Sequence, residues 1–479
     1  MPPELPPLEQ VHHVHLIAVC GTGMGSLACM LADRGFHVTG SDIDAYPPMS
    51  DQLREAGISI YKGFSPEHIT GERPDLVVIG NAIRRDNPEA RATLDSGIPY
   101  LSFPDAVHRL FLRGKHSVVI AGTHGKTTTT SLVGHVLART GRDPSVLVGG
   151  VVNSFGGSFL LGEGEHFVIE GDEYDTAFFD KTPKFLHYAA QSVVFTSCEF
   201  DHADIYESLE EIQEAFRSLC ERVPADGRIV AATDAACVSE VLAGVSAPVE
   251  GYGFQEDALW RTSDVAFDRE GTQFTLWRGR ERLARVRVPM WGRHNVENVL
   301  GTLALTIGLG VEAEQAAEAL ADFGGVRRRQ ETRGEAGGVL VVDDFAHHPT
   351  AVHDTLASIR DRFPDRKVFA IFEPRTNTSR RRIFEEAYGE AFEDAHVAIL
   401  AGVFRADLIP DEERMRPERV VEALRLRGTE AVHLPDVDDI IEFVVRNRTG
   451  NDVALIMSNG AFGGIQDRLL ARLRRAEEG

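Results

Sequence analysis

The chain has 479 residues, more than one hydrophobic core normally organises, so we expect two to four domains. Its formal net charge of −23 argues against a nucleic-acid partner, because a protein that binds a phosphate backbone needs a basic face. No apolar stretch could span a bilayer, the N-terminal segment does not resemble a secretion signal, and the five cysteines form no CxxC pair. We therefore expect a cytoplasmic protein without a disulfide framework, a zinc site or a membrane contact.

Three segments alternate apolar strands with helical patterns, as is typical of α/β domains. In the first segment, the strand-like runs are Leu16–Cys20, His37–Ser41 and Leu76–Ile79, which predicts a parallel sheet. A new unit opens with the apolar run Ser117–Ala121, and a third begins near Arg327. The expected domains cover residues 1–113, 114–326 and 327–479, with β-rich pieces over residues 226–289 decorating the middle one.

A glycine-rich turn follows the first strand and opens a helix. Such a turn lets the backbone approach a phosphate, while the helix N-terminus supplies amide donors and the positive end of its dipole. Asp42 lies where a dinucleotide fold carries its ribose-binding acid, but Ser26 replaces the third glycine of the G-x-G-x-x-G pattern. A tight turn without a ligand is the alternative. The candidate phosphate-binding residues are Gly21, Thr22, Gly23, Met24 and Gly25.

The strongest motif is a second glycine-rich loop, which runs from an apolar strand through Gly122 and Gly125 into Lys126, Thr127 and a helix. Backbone N–H groups of such a loop cradle phosphates, the lysine reaches the β and γ oxygens, and the threonine hydroxyl binds Mg²⁺. The strict G-x-x-x-x-G-K-[ST] pattern requires glycine where this chain has Ile120, so the loop is a variant. We expect Lys126 to be exposed when the site is empty.

Acidic turns follow the next two strands of the middle segment. Glu170 ends one strand and is placed to hold Mg²⁺ beside the nucleotide, and residues 199–204 follow the next strand. Because parallel strands present their carboxyl ends at a common crevice, both turns are expected to face the same phosphates. Solvated surface turns are the alternative.

Three elements of the chain resemble those of the Mur ligases. Residues 122–129 resemble the family's shortened phosphate loop, residues 291–298 its G-x-H-N-x-x-N element, and residues 341–349 its D-D-Y-x-H-H-P turn. The resemblance implies an α/β fold of three domains. These are an N-terminal Rossmann-like domain for a UDP-sugar, a central P-loop ATPase domain, and a C-terminal Rossmann-like domain that binds the amine and closes over ATP.

The resemblance also implies a reaction in which ATP phosphorylates a muramoyl carboxylate and an amine then displaces phosphate, with ATP and Mg²⁺ as cofactors. By motif position, the ATP site comprises Gly122, Thr123, His124, Gly125, Lys126, Thr127, Thr128, His294, Asn295, Asn298, Arg329 and Asp344. The expected metal ligands are Thr127, Glu170 and His202. The expected catalytic residues are Lys126, His202, Asn295, Arg329 and Asp344. A purely structural role is the alternative for His294, His347 and His348.

Two loops favour the branch of the family that ligates a peptide over the branch that adds a single L-alanine. Residues 171–181 resemble the peptide-ligating version, and residues 372–378 carry Arg375-Thr376 where the alanine-adding enzymes tend to have His-Arg. An amine with several carboxylates suits an arginine, which binds carboxylates bidentately. The expected reaction joins UDP-N-acetylmuramate to L-alanyl-γ-D-glutamyl-meso-diaminopimelate in peptidoglycan recycling, with the amine contacted by His348, Arg375 and Asn377.

The main alternative is an L-alanine ligase of de novo peptidoglycan synthesis. Peptide-extending Mur ligases carry a lysine after the metal histidine, and this chain has none there, which separates it from those branches. A regulatory P-loop protein would leave the first and third glycine-rich units unexplained. A nicotinamide-dependent oxidoreductase would not need Lys126 and Thr127. The sequence leaves open whether the protein is a monomer or a homodimer.

Overall fold

The computed structural model describes residues 5–45 and 49–478, which form α/β domains on three main sheets of five, ten and six strands. The sheets span residues 13–102, 116–288 and 331–457, so each lies within one of the three expected domain ranges. The expected fold class is confirmed. No helix in the described ranges is long and apolar enough to cross a membrane.

The N-terminal domain contains strands β1 (His13–Ile17), β2 (His37–Asp42), β3 (Ser59–Lys62), β4 (Leu76–Ile79) and β5 (Tyr100–Ser102), and helices α1 (Thr22–Asp33), α2 (Met49–Glu55), α3 (Glu67–Thr70), α4 (Pro88–Ser96) and α5 (Phe103–Val107). All pairings are parallel, in the order β3-β2-β1-β4-β5 of a doubly wound fold. β1 ends earlier than the predicted run Leu16–Cys20, because Ala18 has a φ of +67° and turns the chain toward the glycine loop.

The central domain contains strands β6 (His116–Ala121), β7 (Ser145–Val152), β8 (Gly157–Leu160), β9 (His166–Gly171), β10 (Asp175–Ala177), β11 (Asp180–Pro183), β12 (Ser192–Phe195), β13 (Arg228–Ala232), β14 (Val249–Gly253), β15 (Trp260–Asp268), β16 (Gly271–Arg278) and β17 (Glu281–Val288). Its helices are α6 (Lys126–Arg139), α7 (Leu209–Glu221), α8 (Ala236–Val241), α9 (Arg293–Gly308) and α10 (Ala313–Leu320).

The main sheet of this domain has the order β17-β16-β15-β14-β13-β12-β6-β9-β7-β8, and β10 and β11 form a separate hairpin. β13, β14 and β15 continue the parallel core, and β16 and β17 extend it as antiparallel strands. The β-rich stretch that we expected to decorate the domain is therefore part of its main sheet. Parallel β6, β9 and β12 lie side by side, so their carboxyl ends meet at one edge.

The C-terminal domain contains strands β18 (Glu331–Ala336), β19 (Val339–Asp344), β20 (Lys367–Phe372), β21 (Val397–Leu400), β22 (Glu430–His433) and β23 (Asp452–Met457), and helices α11 (Pro349–Arg362), α12 (Glu385–Ala391), α13 (Pro417–Leu426), α14 (Val437–Asn447) and α15 (Ile465–Glu478). The order is β18-β19-β23-β20-β21-β22, with only β18 antiparallel. Apolar clusters fill both faces of this sheet, which is why its strands are continuous runs of buried residues.

Contacts between the domains hold the first domain against the second. Ser26 of α1, at the position of the missing third glycine, lies 2.6 Å from Ser158 of β8 through the two hydroxyls. At the other side, Phe179 of the β10–β11 hairpin packs edge-on against Tyr100 of β5, with 5.3 Å between ring centroids. The departure from the G-x-G-x-x-G pattern thus coincides with a domain contact.

Two of the cysteines are paired, which the sequence analysis did not expect. Cys198, just after β12, and Cys237 in α8 are joined as a disulfide with their Cα atoms 5.9 Å apart. The sequence separation of 39 residues carries no sign of this pairing, which depends on how α7 and α8 pack beside the end of β12. Cys20, Cys29 and Cys220 are free and buried.

Candidate active site

The phosphate loop connects β6 to α6 and needs its glycines. Gly122 has a φ of +133° and Gly125 a φ of +80°, a region that favours glycine. A Cβ atom on Gly122 would overlap the Thr196 hydroxyl, and one on Gly125 would overlap the Asn298 amide oxygen. The loop is also tied to the end of β12, because the His124 amide donates to the Ser197 hydroxyl at 2.8 Å. Its shape is thus set before any nucleotide binds.

Lys126 is not exposed, contrary to the sequence expectation. Its side chain is 13% exposed and its Nζ lies 2.9 Å from Glu173 Oε2 and 2.6 Å from the Gly122 carbonyl oxygen. Burial favours the neutral amine, but Glu173 and the neighbouring carboxylates hold the pKa of Lys126 above its ordinary value. The other oxygen of Glu173 lies 3.2 Å from His202 Nε2. Burial opposes ionisation of Glu173, yet Lys126 and His202 lower its pKa to about 2.

Thr127 and Glu170 form a pair of oxygen ligands beside this cluster. The Thr127 hydroxyl lies 3.2 Å from Glu170 Oε2, and the Gly149 amide donates to Glu170 Oε1 at 2.6 Å. Burial and the neighbouring Asp172 raise the pKa of Glu170 to about 7, so a cation here would stabilise its ionised form. Hydroxyl and carboxylate oxygens are the ligands that Mg²⁺ prefers, so this pair fits the metal that the family implies.

His202 contacts a different partner from the one that the metal prediction gives it. Within the described residues its ring bonds to Glu173, not to Glu170 or Thr127. It has a φ of +53°, and its amide donates to Asp201 Oδ1 at 2.7 Å. Burial lowers the pKa of His202, but Glu173 outweighs burial and leaves that pKa above its ordinary value. Metal ligation by His202 stays a prediction.

The start of α9 lies against the phosphate loop. Asn298 Oδ1 accepts a hydrogen bond from the Thr129 hydroxyl at 3.2 Å, and Asn298 Nδ2 donates to Asn295 Oδ1 at 3.3 Å. Burial lowers the pKa of His294, and its Nδ1 is buried without a hydrogen-bond partner in the part of the chain that the structure describes. Asn298 therefore lies against the phosphate loop, Asn295 supports Asn298, and His294 has an unused nitrogen.

The C-terminal domain reaches the same loop through Arg329. An Nη atom of Arg329 donates to the Thr127 hydroxyl at 3.2 Å, and its guanidinium lies 4.9 Å from the centroid of the Phe345 ring. Asp344 is buried and accepts from the amides of Gln330, at 2.8 Å, and Ala346, at 2.7 Å. Arg329 thus lies at the phosphate site, and Asp344 stabilises the adjacent backbone through the amides of Gln330 and Ala346.

His348 lies at the same domain boundary but is already engaged. It is buried, its Nε2 is 3.2 Å from the Phe200 carbonyl oxygen, and its Nδ1 caps α11 by accepting from the Thr350 amide at 3.3 Å. Burial, with His124 nearby, lowers the pKa of His348 to about 4. Both ring nitrogens therefore have protein partners, and contact with the amine stays a prediction.

Glu199 links this boundary to the phosphate loop, and the sequence analysis did not single it out. Its Oε2 lies 3.1 Å from His124 Nε2 and accepts from the Thr350 hydroxyl at 2.7 Å. Burial opposes ionisation, but His124, Thr350 and His348 together outweigh it and lower the pKa of Glu199 to about 2. Glu173 was missed in the same way. The one available signal was that both residues follow strands adjacent to the phosphate-loop strand.

The predicted amine-side residues follow β20. Arg375 stacks on the Phe404 ring with its guanidinium 3.6 Å from the centroid, and its Nη1 lies 3.4 Å from Glu373 Oε1. Asn377 is exposed and donates to Asp204 Oδ2 at 2.8 Å. Since Asp204 follows His202 by two residues, this loop borders the phosphate site.

The first glycine turn is separate from these groups. Gly21 and Thr22 are exposed, whereas Met24 and Gly25 pack into the core, so only the start of the turn is accessible from solvent. Asp42 accepts from the Cys20 amide and the Ile43 amide, both at 2.8 Å, through different oxygens. Asp42 therefore shapes the turn, and its contact with a ribose stays a prediction.

An arginine of the C-terminal α/β domain thus reaches the helix that follows the phosphate loop of the central domain. The chain belongs to the Mur ligase family. Residues 13–115 match the family's catalytic domain, residues 120–306 its middle domain, and residues 328–460 its glutamate ligase domain. Members of this family are ATP-dependent ligases, and this chain is one of them.

Similar proteins cover the chain almost from end to end. The UDP-N-acetylmuramate–L-alanyl-γ-D-glutamyl-meso-2,6-diaminoheptandioate ligase of Escherichia coli (strain K12) is 38% identical over 97% of this chain and 99% of its own. The crystal structure of a murein peptide ligase from Psychrobacter arcticus is 34% identical, with a TM-score of 0.74 and coverage of 97% and 99%. A UDP-N-acetylmuramate–L-alanine ligase of Caldanaerobacter subterraneus is 32% identical over 97% and 98%.

Proposed function

We propose that this enzyme uses ATP to join the muramoyl carboxylate of UDP-N-acetylmuramate to the amine of L-alanyl-γ-D-glutamyl-meso-diaminopimelate, in cytoplasmic peptidoglycan recycling. The observation that carries the proposal is the sequence identity of 38%, over nearly the whole length, to a ligase named for this reaction. The amine-side loop supports it, because Arg375 is fixed by Phe404 beside the phosphate site. An arginine held in place suits a substrate with several carboxylates.

The central domain, residues 114–326, would perform the phosphoryl transfer. Thr127 and Glu170 would hold Mg²⁺, which neutralises charge on the transferring group when it is bound. Lys126 would leave Glu173 and move to the phosphate oxygens, and Arg329 would add a second positive charge from the C-terminal domain, residues 327–479. The β6–α6 loop supplies backbone amides that need no rearrangement.

The acyl donor, UDP-N-acetylmuramate, and the amine would approach from opposite sides. The N-terminal domain, residues 1–113, would bind the UDP moiety at Gly21 to Gly23, where the start of α1 is exposed. The acyl phosphate would form at the cluster of Lys126, Glu173 and His202, and the amine would arrive along the loop that carries Arg375.

The L-alanine ligase activity is the second candidate, supported by a relative of that name with 32% identity over nearly the same length. Ligation of UDP-N-acetylmuramate at saturating ATP and Mg²⁺, with either L-alanine or the tripeptide as amine, separates the two. We expect a kcat/KM for the tripeptide at least 100-fold above that for L-alanine, the difference that about 2.7 kcal/mol of extra contacts would give. A preference for L-alanine would reject the peptide-ligase proposal.

A further inference from the structure

Arg375, Arg380 and Arg405 lie together on the amine side of the C-terminal domain, and we call them the arginine cluster. The Arg375 guanidinium is held between the Phe404 ring and Gly460, where any side chain would overlap it. Arg380 donates from Nη1 to the Phe404 carbonyl oxygen at 3.3 Å and from Nη2 to Asn377 Oδ1 at 2.5 Å. Arg405, next to Phe404, is exposed and has a φ of +48°.

Arg375 lies 3.4 Å from Glu373, but the other two members of the cluster carry positive charge that no adjacent carboxylate neutralises. In the described part of the chain, neither Arg380 nor Arg405 has a carboxylate within 4.0 Å, whereas their neighbour Arg381 is paired with Glu413. Burial and the charges of Arg381, Arg405 and Arg375 lower the pKa of Arg380, with Asp204 opposing them. Adjacent cations without carboxylate partners repel each other. A group of them is unusual in a chain whose overall charge is −23.

The cluster also lies beside the reaction centre. The loop between Arg375 and Arg380 contacts the chain just after His202, because the Ala203 amide donates to the Thr378 hydroxyl at 3.3 Å and Asn377 donates to Asp204 at 2.8 Å. An amine substrate whose nitrogen reaches the acyl phosphate would therefore extend its far end along this loop. L-Alanine is too short to place its nitrogen at the acyl phosphate and also reach the arginine cluster.

We propose that Arg380 and Arg405, with Arg375, form a subsite for the carboxylates at the far end of the peptide amine and thereby select a tripeptide over L-alanine. The inference rests on the proposed function. The tripeptide has three free carboxylates, one on the D-glutamyl residue and two on the diaminopimelate, while L-alanine has one. Bidentate guanidinium–carboxylate pairs are the strong form of this contact.

The test compares Arg380→Ala and Arg405→Ala with Arg474→Ala, which removes the same charge from an exposed position on the last helix. Ligation kinetics are measured with the tripeptide, with L-alanyl-γ-D-glutamate and with L-alanine. We expect Arg380→Ala to raise the KM for the tripeptide about 10-fold or more, and exposed Arg405→Ala to raise it about three- to fivefold. The KM for L-alanine should change less than twofold in both variants, and Arg405→Lys should recover part of the loss.

Each outcome bears on a separate claim. Equal effects on all three amines, or no effect in either variant, would overturn the subsite. Arg405 is exposed, so its variant tests the idea even if Arg380→Ala fails to fold. Poor use of the tripeptide by the unmodified enzyme would instead reject the proposed function, whatever the variants do.

Discussion

Lys126 directly follows the phosphate loop, but it is largely buried and paired with Glu173 where the sequence analysis expected an exposed side chain. Its ion pair with Glu173 lies in a partly desolvated pocket. In the empty site Lys126 is therefore bound to a carboxylate that also contacts His202. A phosphate must compete with Glu173 for this amine. In the proposed mechanism Lys126 therefore exchanges Glu173 for a phosphate oxygen, a step that an exposed lysine would not require.

Lys126→Ala should reduce amide synthesis by on the order of 10²–10³ in kcat, because one positive charge on the transferring phosphoryl group is lost. Steady-state kinetics measure the loss, and a thermal melt shows whether the fold survives. Arg139→Ala, which removes an exposed cation from the far end of the same helix, serves as the control. Near-normal turnover with an intact melt would contradict the role.

Glu170→Ala and His202→Ala should both raise the Mg²⁺ concentration needed for half-maximal activity, since both are proposed metal ligands. Titration of activity with Mg²⁺ is the measurement, with Glu214→Ala on α7 as an exposed control. If the Mg²⁺ requirement rises in the Glu170 variant alone, His202 is a partner of Glu173 and not a metal ligand, in keeping with the contact between their side chains. Wild-type titrations in both variants would place the metal elsewhere.

At the scale of elements, a histidine connects the β10–β11 hairpin to the N-terminal domain through two carboxylate contacts. His187, just after β11, lies 2.9 Å from Asp105 of α5 through Nδ1 and 3.2 Å from Asp180 of β11 through Nε2. Burial lowers the pKa of His187 and Arg222 does so more weakly, but the two carboxylates outweigh both and raise it. The imidazole thus bridges two domains.

This bridge predicts a pH dependence of stability. A folded-state pKa above the ordinary 6.5 means that the contribution of His187 is complete below pH 6.5 and is lost as pH rises through the folded value. The gap in Tm between wild type and His187→Gln should therefore narrow with rising pH. Lys181→Ala, which breaks an ion pair within the hairpin, should give a gap that stays constant from pH 6 to about 8. A gap that widens with pH would contradict the assignment.

At the scale of the whole molecule, Glu199 connects the phosphate loop to the C-terminal domain. It accepts from the Thr350 hydroxyl of α11 and contacts His124 of the loop, so one carboxylate spans both domains. Arg329 makes a second connection at Thr127. The orientation of the C-terminal domain is therefore coupled to the nucleotide site through hydrogen bonds as well as through apolar packing.

Glu199→Ala should raise the KM values for ATP and for the tripeptide together, by a similar factor of about 3 to 10, because it loosens the boundary that both substrates need. Arg375→Ala should raise only the KM for the tripeptide, by about 10- to 150-fold. Glu393→Ala, which breaks an exposed contact within the C-terminal domain, is the control. An effect of Glu199→Ala on one substrate alone would contradict the coupling.

The sequence alone determined the features that local chemistry imposes. Strand β4 was predicted with its observed bounds, and the phosphate loop was recognised from glycines whose positive φ values no other residue adopts easily. The bond of Lys126 to Glu173, the link from Glu199 to Thr350 and the pairing of Cys198 with Cys237 were decided only by the tertiary structure. Each joins residues 39 or more positions apart, and which groups meet there depends on strand order and domain packing, which side-chain periodicity does not encode.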